Sequence, residues 1–501
     1  MNPLKRLAGD TAIYGLSTMV ARLINYLLVI YHTRVLSPTQ YGVFTEFYSY
    51  VAFLLVLLTY GMETGFFRFS SRQEQNPNQV FSTAIVSLLA TSVLFFVVIW
   101  KNLSGVSAQM GYPDNQSYVL QMAAVIALDA FTAIPFARLR FLRKAKTFAL
   151  FKLLNVVFYV AISVIFFTFL PAYFAKNPDS FLLQFFSEKI DVGYIFTANL
   201  LSSLLSFLLL LPTIFSIRFS FSFSLLKKML VYSLPLLIAG LPGVANDYLD
   251  RLLFKHLYPD SSIAMQELGV YGATTKLAVL MVLFVQMFRY AAEPFFFSQG
   301  GKNDDGKTRI LFADVMKYFV IFAMSIFLFV VFYMDIFEYF LGKDFRSALG
   351  IVSIMLIANV LLGVSFNLSM WYKLSGKTNY AVYITASGLL VTLLVNVLFI
   401  PRYGYYAAAW AHFFSYAVMV AVSYMLGQKF YRIPYNLKSI GFYIALGLSI
   451  YAIFALASRH FGLSPALRVA TGTLLLILYA GIALWRDGKP ILRQVTQKLK
   501  R

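Results

Sequence analysis

Apolar runs of about 20 residues recur along nearly the whole chain, and each is long enough to cross a bilayer as a helix. That feature narrows the fold more than any other. Of the 501 residues, 60% are hydrophobic and only 13% are charged. A soluble chain of this length would need far more polar surface. The sequence therefore predicts an all-α polytopic membrane protein. The first run follows Lys5 and Arg6, is longer than the apolar core of a leader peptide and has no small-residue cleavage site after it. It reads as a retained span.

Fourteen spans are expected, at roughly 11–32, 43–67, 80–100, 117–138, 148–171, 192–215, 231–256, 267–290, 311–334, 347–372, 380–400, 404–427, 438–459 and 465–485. The formal charge is +21. In a soluble protein that excess would suggest nucleic acid. Here the cations cluster in short loops, which is the positive-inside pattern, and no nucleic-acid partner is expected. With both termini cytoplasmic, about 28 of the 42 Lys and Arg fall inside and about 10 outside. Arg22, Arg251, Lys276 and Lys317 fall within spans. The strongest cytoplasmic signals are "RLRFLRKAK" after span four and "RQVTQKLKR" at the C-terminus. The segment "FSFSLLKKML" reads either as an interfacial linker or as the inner end of span seven.

The two halves resemble each other in order. Asn25 stands before "LSP" (36–38) by the spacing that separates Asn246 from "LYP" (257–259). "YGVFTEFYSYVAFLLVLL" parallels "LGVYGATTKLAVLMVLF". "KTFALFKLLNVV" parallels "KTNYAVYITASG", and each pair then runs to a proline, Pro171 or Pro401. "GYIFTANLLSS" parallels "GYYAAAWAHFF". Two parallel six-span repeats follow, over 1–218 and 219–434, with two further spans and a basic tail over 435–501. That symmetry is typical of transporters whose substrate lies between two lobes.

Polar residues inside the spans are the candidate site. In span one Thr11, Gly15, Thr18, Arg22, Asn25, Val29 and His32 recur at steps of four and three and share a face. Such a stripe faces a bundle interior or a water-filled cavity. Arg22 there is either an anion contact, since guanidinium matches phosphate or carboxylate, or half of an internal ion pair. In span seven Gly240, Gly243, Asp247 and Asp250 share a face. Asp247 stands four residues before Arg251 and could neutralise it, leaving Asp250 for coupling or gating. Pro235 and Pro242 suggest a kinked or broken helix. Lys276 in span eight is a second cavity cation or a snorkelling residue. Gln286, Arg289 and Glu293 lie near that span's other end, the last two as an i,i+4 pair. Glu63 and Arg68 end span two, Arg68 as an interfacial anchor. Glu46 and Asp129 are intramembrane carboxylates that could titrate or hold Arg22. Lys317 reads as a snorkelling residue.

Other chemistries are absent. There are no cysteines, hence no disulfide or thiolate metal site. The four histidines have no metal-ligand spacing, no metal or cofactor is expected, and no Walker A loop is present. No loop is long enough for a catalytic domain.

The stretches "RVLSPTQYGVF", "IPFARLRFLRKAKTFALFK" and "SLPLLIAGLPGVANDYLDRLLFKHLYP" followed by "GVYGATTKLAVL" carry a family resemblance. In this order the chain resembles the polysaccharide-biosynthesis flippases of the multidrug/oligosaccharidyl-lipid/polysaccharide superfamily, the O-antigen-flippase and MurJ-like branch. The resemblance implies two six-helix lobes in a V around a cationic cavity, plus two C-terminal helices. It implies alternating access and transfer of an isoprenoid-diphosphate-linked oligosaccharide from the cytoplasmic to the outer leaflet of a bacterial inner membrane. Arg22 and Lys276 match the family's cavity cations by span, with Arg251 less secure. The driving force would be a proton or sodium gradient or the membrane potential. Partners would be the lipid-linked sugar, membrane lipids, and a polymerase and glycosyltransferases of surface-polysaccharide assembly. The alternatives are an ion-coupled exporter of small organic solutes, a membrane oligosaccharide polymerase, or a scaffold.

Overall fold

The computed structural model describes residues 3–71, 76–184, 190–300 and 306–488. It is helical throughout, with no strand among the described residues. The helices are α1 (Pro3–Val35), α2 (Pro38–Ser70), α3 (Pro77–Lys101), α4 (Gln116–Phe141), α5 (Ala145–Lys176), α6 (Gly193–Ile214) and α7 (Phe223–Leu257). They continue with α8 (Ser261–Phe297), α9 (Thr308–Phe332), α10 (Ile351–Leu374), α11 (Tyr380–Tyr403), α12 (Tyr405–Phe430), α13 (Leu437–His460) and α14 (Pro465–Asp487). From α2 onward the 13 helices are long and apolar enough to cross a membrane. With the 33-residue α1 they follow the expected order one for one. The tail "RQVTQKLKR" and the side chain of Thr11 lie outside the described residues.

Local chemistry sets the boundaries. Ser37 and Gln40 form a reciprocal capping box at the start of α2, with Pro38 in the first turn, where a missing N–H costs nothing. Near its other end α2 is interrupted at Tyr60 and Gly61, both left-handed, with φ of 33° and 70°. In α5 a π-turn at Ile165–Phe169 precedes Pro171, whose nitrogen cannot donate. In α8 a 3-10 turn at Thr275–Ala278 interrupts the α pattern. Asp260 caps the start of α8. The Ser262 hydroxyl and amide donate to its carboxylate at 2.5 and 2.9 Å, which holds the carboxyl below its usual range.

Helix α7 differs from one expectation. It runs unbroken through Pro235 and Pro242, capped at its start by Ser222. In a membrane bundle, neighbouring helices and local adjustment satisfy the groups that a proline frees. "FSFSLLKKML" is thus the first part of α7 and not a separate interfacial element.

The contacts divide into two compact units, Met1–Gly272 and Ala273–Arg501. In the first, α4 packs on α2, α3 and α6, α5 on α1 and α6, and α7 on α2 and α3. Its core is aromatic, with Phe66, Phe81, Phe131 and Phe136 in one cluster and Phe47, Tyr112, Tyr118 and Phe196 in another. In the second, α12 packs on α10 and α11, and α9 on α8, α10, α13 and α14. Helices α13 and α14 have no repeat counterpart, yet α9 holds both. Lipid tails are as apolar as leucine, so close fit rather than hydrophobic transfer holds such helices together. Gly363 illustrates this, because a methyl group built there would overlap the buried Phe319 ring.

Lys317 has specific partners. Its ammonium meets Asp487 at 3.0 Å and Asp314 at 3.4 Å, and Asp487 also accepts from the Tyr443 hydroxyl at 2.6 Å. This cluster fastens α9 and α13 to the end of α14.

Candidate functional site

The polar stripe of α1 divides along its length. Arg22 and Asn25 are exposed, whereas Val29 and His32 are buried. His32 sits among the rings of Tyr31, Phe44 and Phe167, with centroids 6.0–6.1 Å away. The Val29 end of the stripe is therefore packing, and the Arg22 end faces away from the protein interior. Methyl groups built on Gly15 of α1, or on Gly240 and Gly243 of α7, would meet nothing within 4 Å. Those faces border open space.

Arg22 and Arg251 are neighbours through two phenols. Both guanidiniums act electrostatically on Tyr26 of α1 and on Tyr248 of α7. Arg251 lies 5.4 Å from the Tyr248 ring centroid and 5.9 Å from that of Tyr271. Two always-charged side chains thus act on the same two phenols, with ten N–H donors on the two forks.

The carboxylates of α7 are arranged differently from the i,i+4 expectation. Asp247 is exposed, while Asp250 is fully buried and accepts a 2.5 Å hydrogen bond from the Tyr271 hydroxyl. Asp250 acts more strongly on Arg251 than Asp247 does. The carboxylate withdrawn from solvent acts more strongly on the guanidinium because screening is weakest there. Asp250 is therefore engaged. Asn246 is buried although its repeat partner Asn25 is exposed.

Glu46 and Asp129 have partners other than Arg22. Glu46, buried in α2, accepts from the Tyr112 hydroxyl and lies 3.6 Å from the Lys255 ammonium. Lys255 also donates to the Met110 carbonyl at 2.6 Å. Asp129 of α4 accepts from Ser203 of α6 and feels the charge of Lys152 on α5. Tyr48 and Tyr159 are bonded to each other beside it. Asn155 joins Ser202 and Ser206 at 2.8 Å in the same interior.

Lys276 lies, half-buried, in the 3-10 turn of α8. Gln286 is half-buried on the same helix. Arg289 and Glu293 form the expected pair at 3.4 Å, and Lys373 of α10 joins Glu293 at 2.5 Å. Glu63 pairs with Arg140 of α4, while Arg68 stacks 3.8 Å over the Tyr232 ring.

Several residues do not stand out in the sequence. Lys152 sits two turns in from a basic loop, where a cation reads as an anchor, yet it belongs to the Asp129 interior. Tyr26 and Tyr248 are lost among 33 tyrosines. In the second unit Asn359, Thr392, Asn396, His412 and Ser415 are buried on α10, α11 and α12. Both polar atoms of the Asn396 amide are enclosed without a hydrogen-bond partner. Helical spacing could have found that pair of polar turns. No cluster of three or more metal-ligating side chains occurs among the described residues.

Residues 7–299, more than half of the chain, match the family described as polysaccharide biosynthesis protein. The chain belongs to that family. No curated protein matches the sequence. Among solved structures, this polysaccharide biosynthesis family member is similar to "Lipid II flippase MurJ, inward closed conformation", at 13% identity and a TM-score of 0.69, covering 94% of this chain and 98% of that one. It is also similar to an inward-facing multidrug resistance MATE family transporter of the MOP superfamily. That match has 14% identity, a TM-score of 0.61 and coverage of 83% and 97%. An outward-facing MATE structure matches at 13% identity, with a TM-score of 0.56 and coverage of 84% and 94%. At such identities the likeness is one of fold. Family and fold together make the chain a multi-pass membrane protein of the polysaccharide biosynthesis family, with a fold like those of MurJ and the MATE transporters.

Proposed function

We propose that this protein carries an isoprenoid-diphosphate-linked oligosaccharide from the cytoplasmic to the outer leaflet of a bacterial inner membrane. It would do so by alternating access between its two six-span repeats, with both termini cytoplasmic, for assembly of a surface polysaccharide. The observation that carries the reading is that Arg22 and Arg251 both act on Tyr26 and Tyr248, on helices α1 and α7 whose Gly15, Gly240 and Gly243 border open space. A diphosphate offers acceptors to both guanidinium forks. The phenols can donate to phosphate or stack against sugar. The apolar tail stays in lipid while the glycan, which cannot enter hydrocarbon, takes the shielded route. Asn25 would add a neutral donor. The reaction makes and breaks no covalent bond, so it needs no catalytic residue and no cofactor. A polymerase and glycosyltransferases would work on either side of the transfer step.

The second reading is an ion-coupled exporter of small organic solutes. It is favoured by the half-buried Asp129 and Lys152, which offer a titratable pair beside Tyr48, Tyr159 and Ser203. The same pair could couple glycolipid transfer to a proton or sodium gradient, with Asp247, Asp250, Glu46, Arg289 and Glu293 as gating groups. Leaflet-resolved labelling of lipid-linked sugars in cells depleted of the protein separates the readings. Accumulation in the inner leaflet is expected. Accumulation in the outer leaflet would point to a polymerase, and no accumulation to the solute exporter.

A further inference from the structure

The repeat alignment of "YGVF" with "LGVY" pairs Gly42 with Gly269, and in the folded chain these two glycines face each other. A methyl group built on Gly42 would overlap the Met265 carbonyl, and one built on Gly269 would overlap the Pro38 carbonyl. Each glycine thus packs over the carbonyl four residues before the other. The same relation extends one turn on, where a methyl group on Gly272 would lie 3.0 Å from the Thr45 Cβ. Backbones approach this closely only where no side chain intervenes, which is how small residues serve membrane helix pairs.

Side-chain bonds surround the crossing. One turn along α2, buried Glu46 meets Lys255 at the end of α7 at 3.6 Å. Lys255 in turn closes on the Met110 carbonyl and lies 4.2 Å from the Tyr112 ring centroid. On the α8 side Tyr271 donates to Asp250 of α7. Every contact lies at the Pro38 end of α2, beside the turn that follows α1.

We infer that the reciprocal Gly42–Gly269 crossing, locked by Glu46 and Lys255, is the outer gate of the transport path, held shut in this structure. The inference rests on the alternating-access reading of the fold and not on which substrate is carried. Equivalent residues of the two repeats meet at one point, so separating the repeats at that end must part these glycines. Carbonyl and glycine in direct contact leave no passage for water. The gate closes by backbone fit and needs no substrate to seal it.

The chain has no cysteine, so introduced thiols report without background. The first test is the Thr45→Cys/Gly272→Cys pair, whose β-carbons fall close to disulfide range. Oxidation should cross-link the pair and stop glycan export, and reduction should restore export. Failure to cross-link would overturn the crossing, and unimpaired export through cross-linked protein would overturn its role as a gate. The second test places Asn25→Cys in the chain and measures its labelling by an impermeant maleimide from outside. Gly42→Leu or Gly269→Leu should raise that labelling by about tenfold, in line with the usual penalty of overpacking a filled contact. Unchanged labelling in both variants, at normal membrane levels, would overturn the inference. These readouts hold whatever the cargo is, so a failed substrate assignment would leave the labelling result standing.

Discussion

Replacing Arg22 and replacing Arg251 should fail in different ways, although both guanidiniums serve one cluster. Arg22 is an exposed side chain of α1. Exposed substitutions of this kind usually change stability by less than about 0.5 kcal/mol. A two-pronged contact to phosphate is two charge-assisted hydrogen bonds at about 1.5–3 kcal/mol each, so Arg22→Ala should cost about 3–6 kcal/mol of substrate binding. At 1.4 kcal/mol per tenfold, affinity should fall by about two to four orders of magnitude. Arg251 instead feels the charge of Asp250, which is 0% exposed. Arg251→Ala removes the guanidinium on which that buried carboxylate acts, at a cost of about 3–5 kcal/mol to the fold. The assay is binding of an isoprenyl-diphosphate sugar to protein in nanodiscs, read beside the amount of protein in the membrane. Arg22→Ala should give normal levels and no export of surface glycan. Arg22→Lys should recover binding in part, because an ammonium lacks the planar fork. Arg251→Ala should give little protein, and adding Asp250→Asn should restore it. Normal affinity and export in Arg22→Ala would refute the reasoning.

Three further outcomes are expected. Asp487→Ala removes the acceptor for Lys317 and Tyr443, and two lost bonds should lower stability by about 2–4 kcal/mol, read as a lower thermal midpoint and protease cleavage near α14. An unchanged midpoint would contradict the clamp. Gly363→Val should destabilise by about 1–3 kcal/mol, because the Phe319 ring is fully enclosed and cannot give way. A midpoint equal to that of the parent would contradict it. Lys152→Met should lower membrane levels by stranding Asp129, and Lys152→Met with Asp129→Asn should recover them. If the recovered protein also loses the pH dependence of export, the pair couples transport. An unaltered pH profile would make it structural.

The order of helices was legible because lipid leaves a chain few choices. Apolar length marks a span, and charge marks the loops between. The capping box at Ser37 and Gln40 could also be read directly. What could not be read is partnership. Glu46 and Lys255 are more than two hundred residues apart, and nothing in the sequence distinguishes Lys255 from a loop cation. Asp250 looked spare because helical spacing pairs Asp247 with Arg251, and spacing takes no account of which carboxylate is shielded from solvent. Lys317 read as an anchor because its partner, Asp487, sits at the far end of the last span. Gly42 and Gly269 appeared only as matched letters in a repeat, and their contact needs the fold.

The π-turn of α5 bears on how this gene can vary. One residue beyond a regular helix is accommodated at Ile165–Phe169. Phe166 and Phe167, adjacent in sequence, are both buried, and both stack near Tyr194. Consecutive residues of an ordinary helix diverge by about 100° and rarely share an interior. Removing a codon elsewhere in a span would rotate everything beyond it onto the wrong face. Removing one between 165 and 169 would restore an ordinary helix with both flanks in their present orientation, at the loss of a single side chain. Length differences among homologues within this span should therefore fall there.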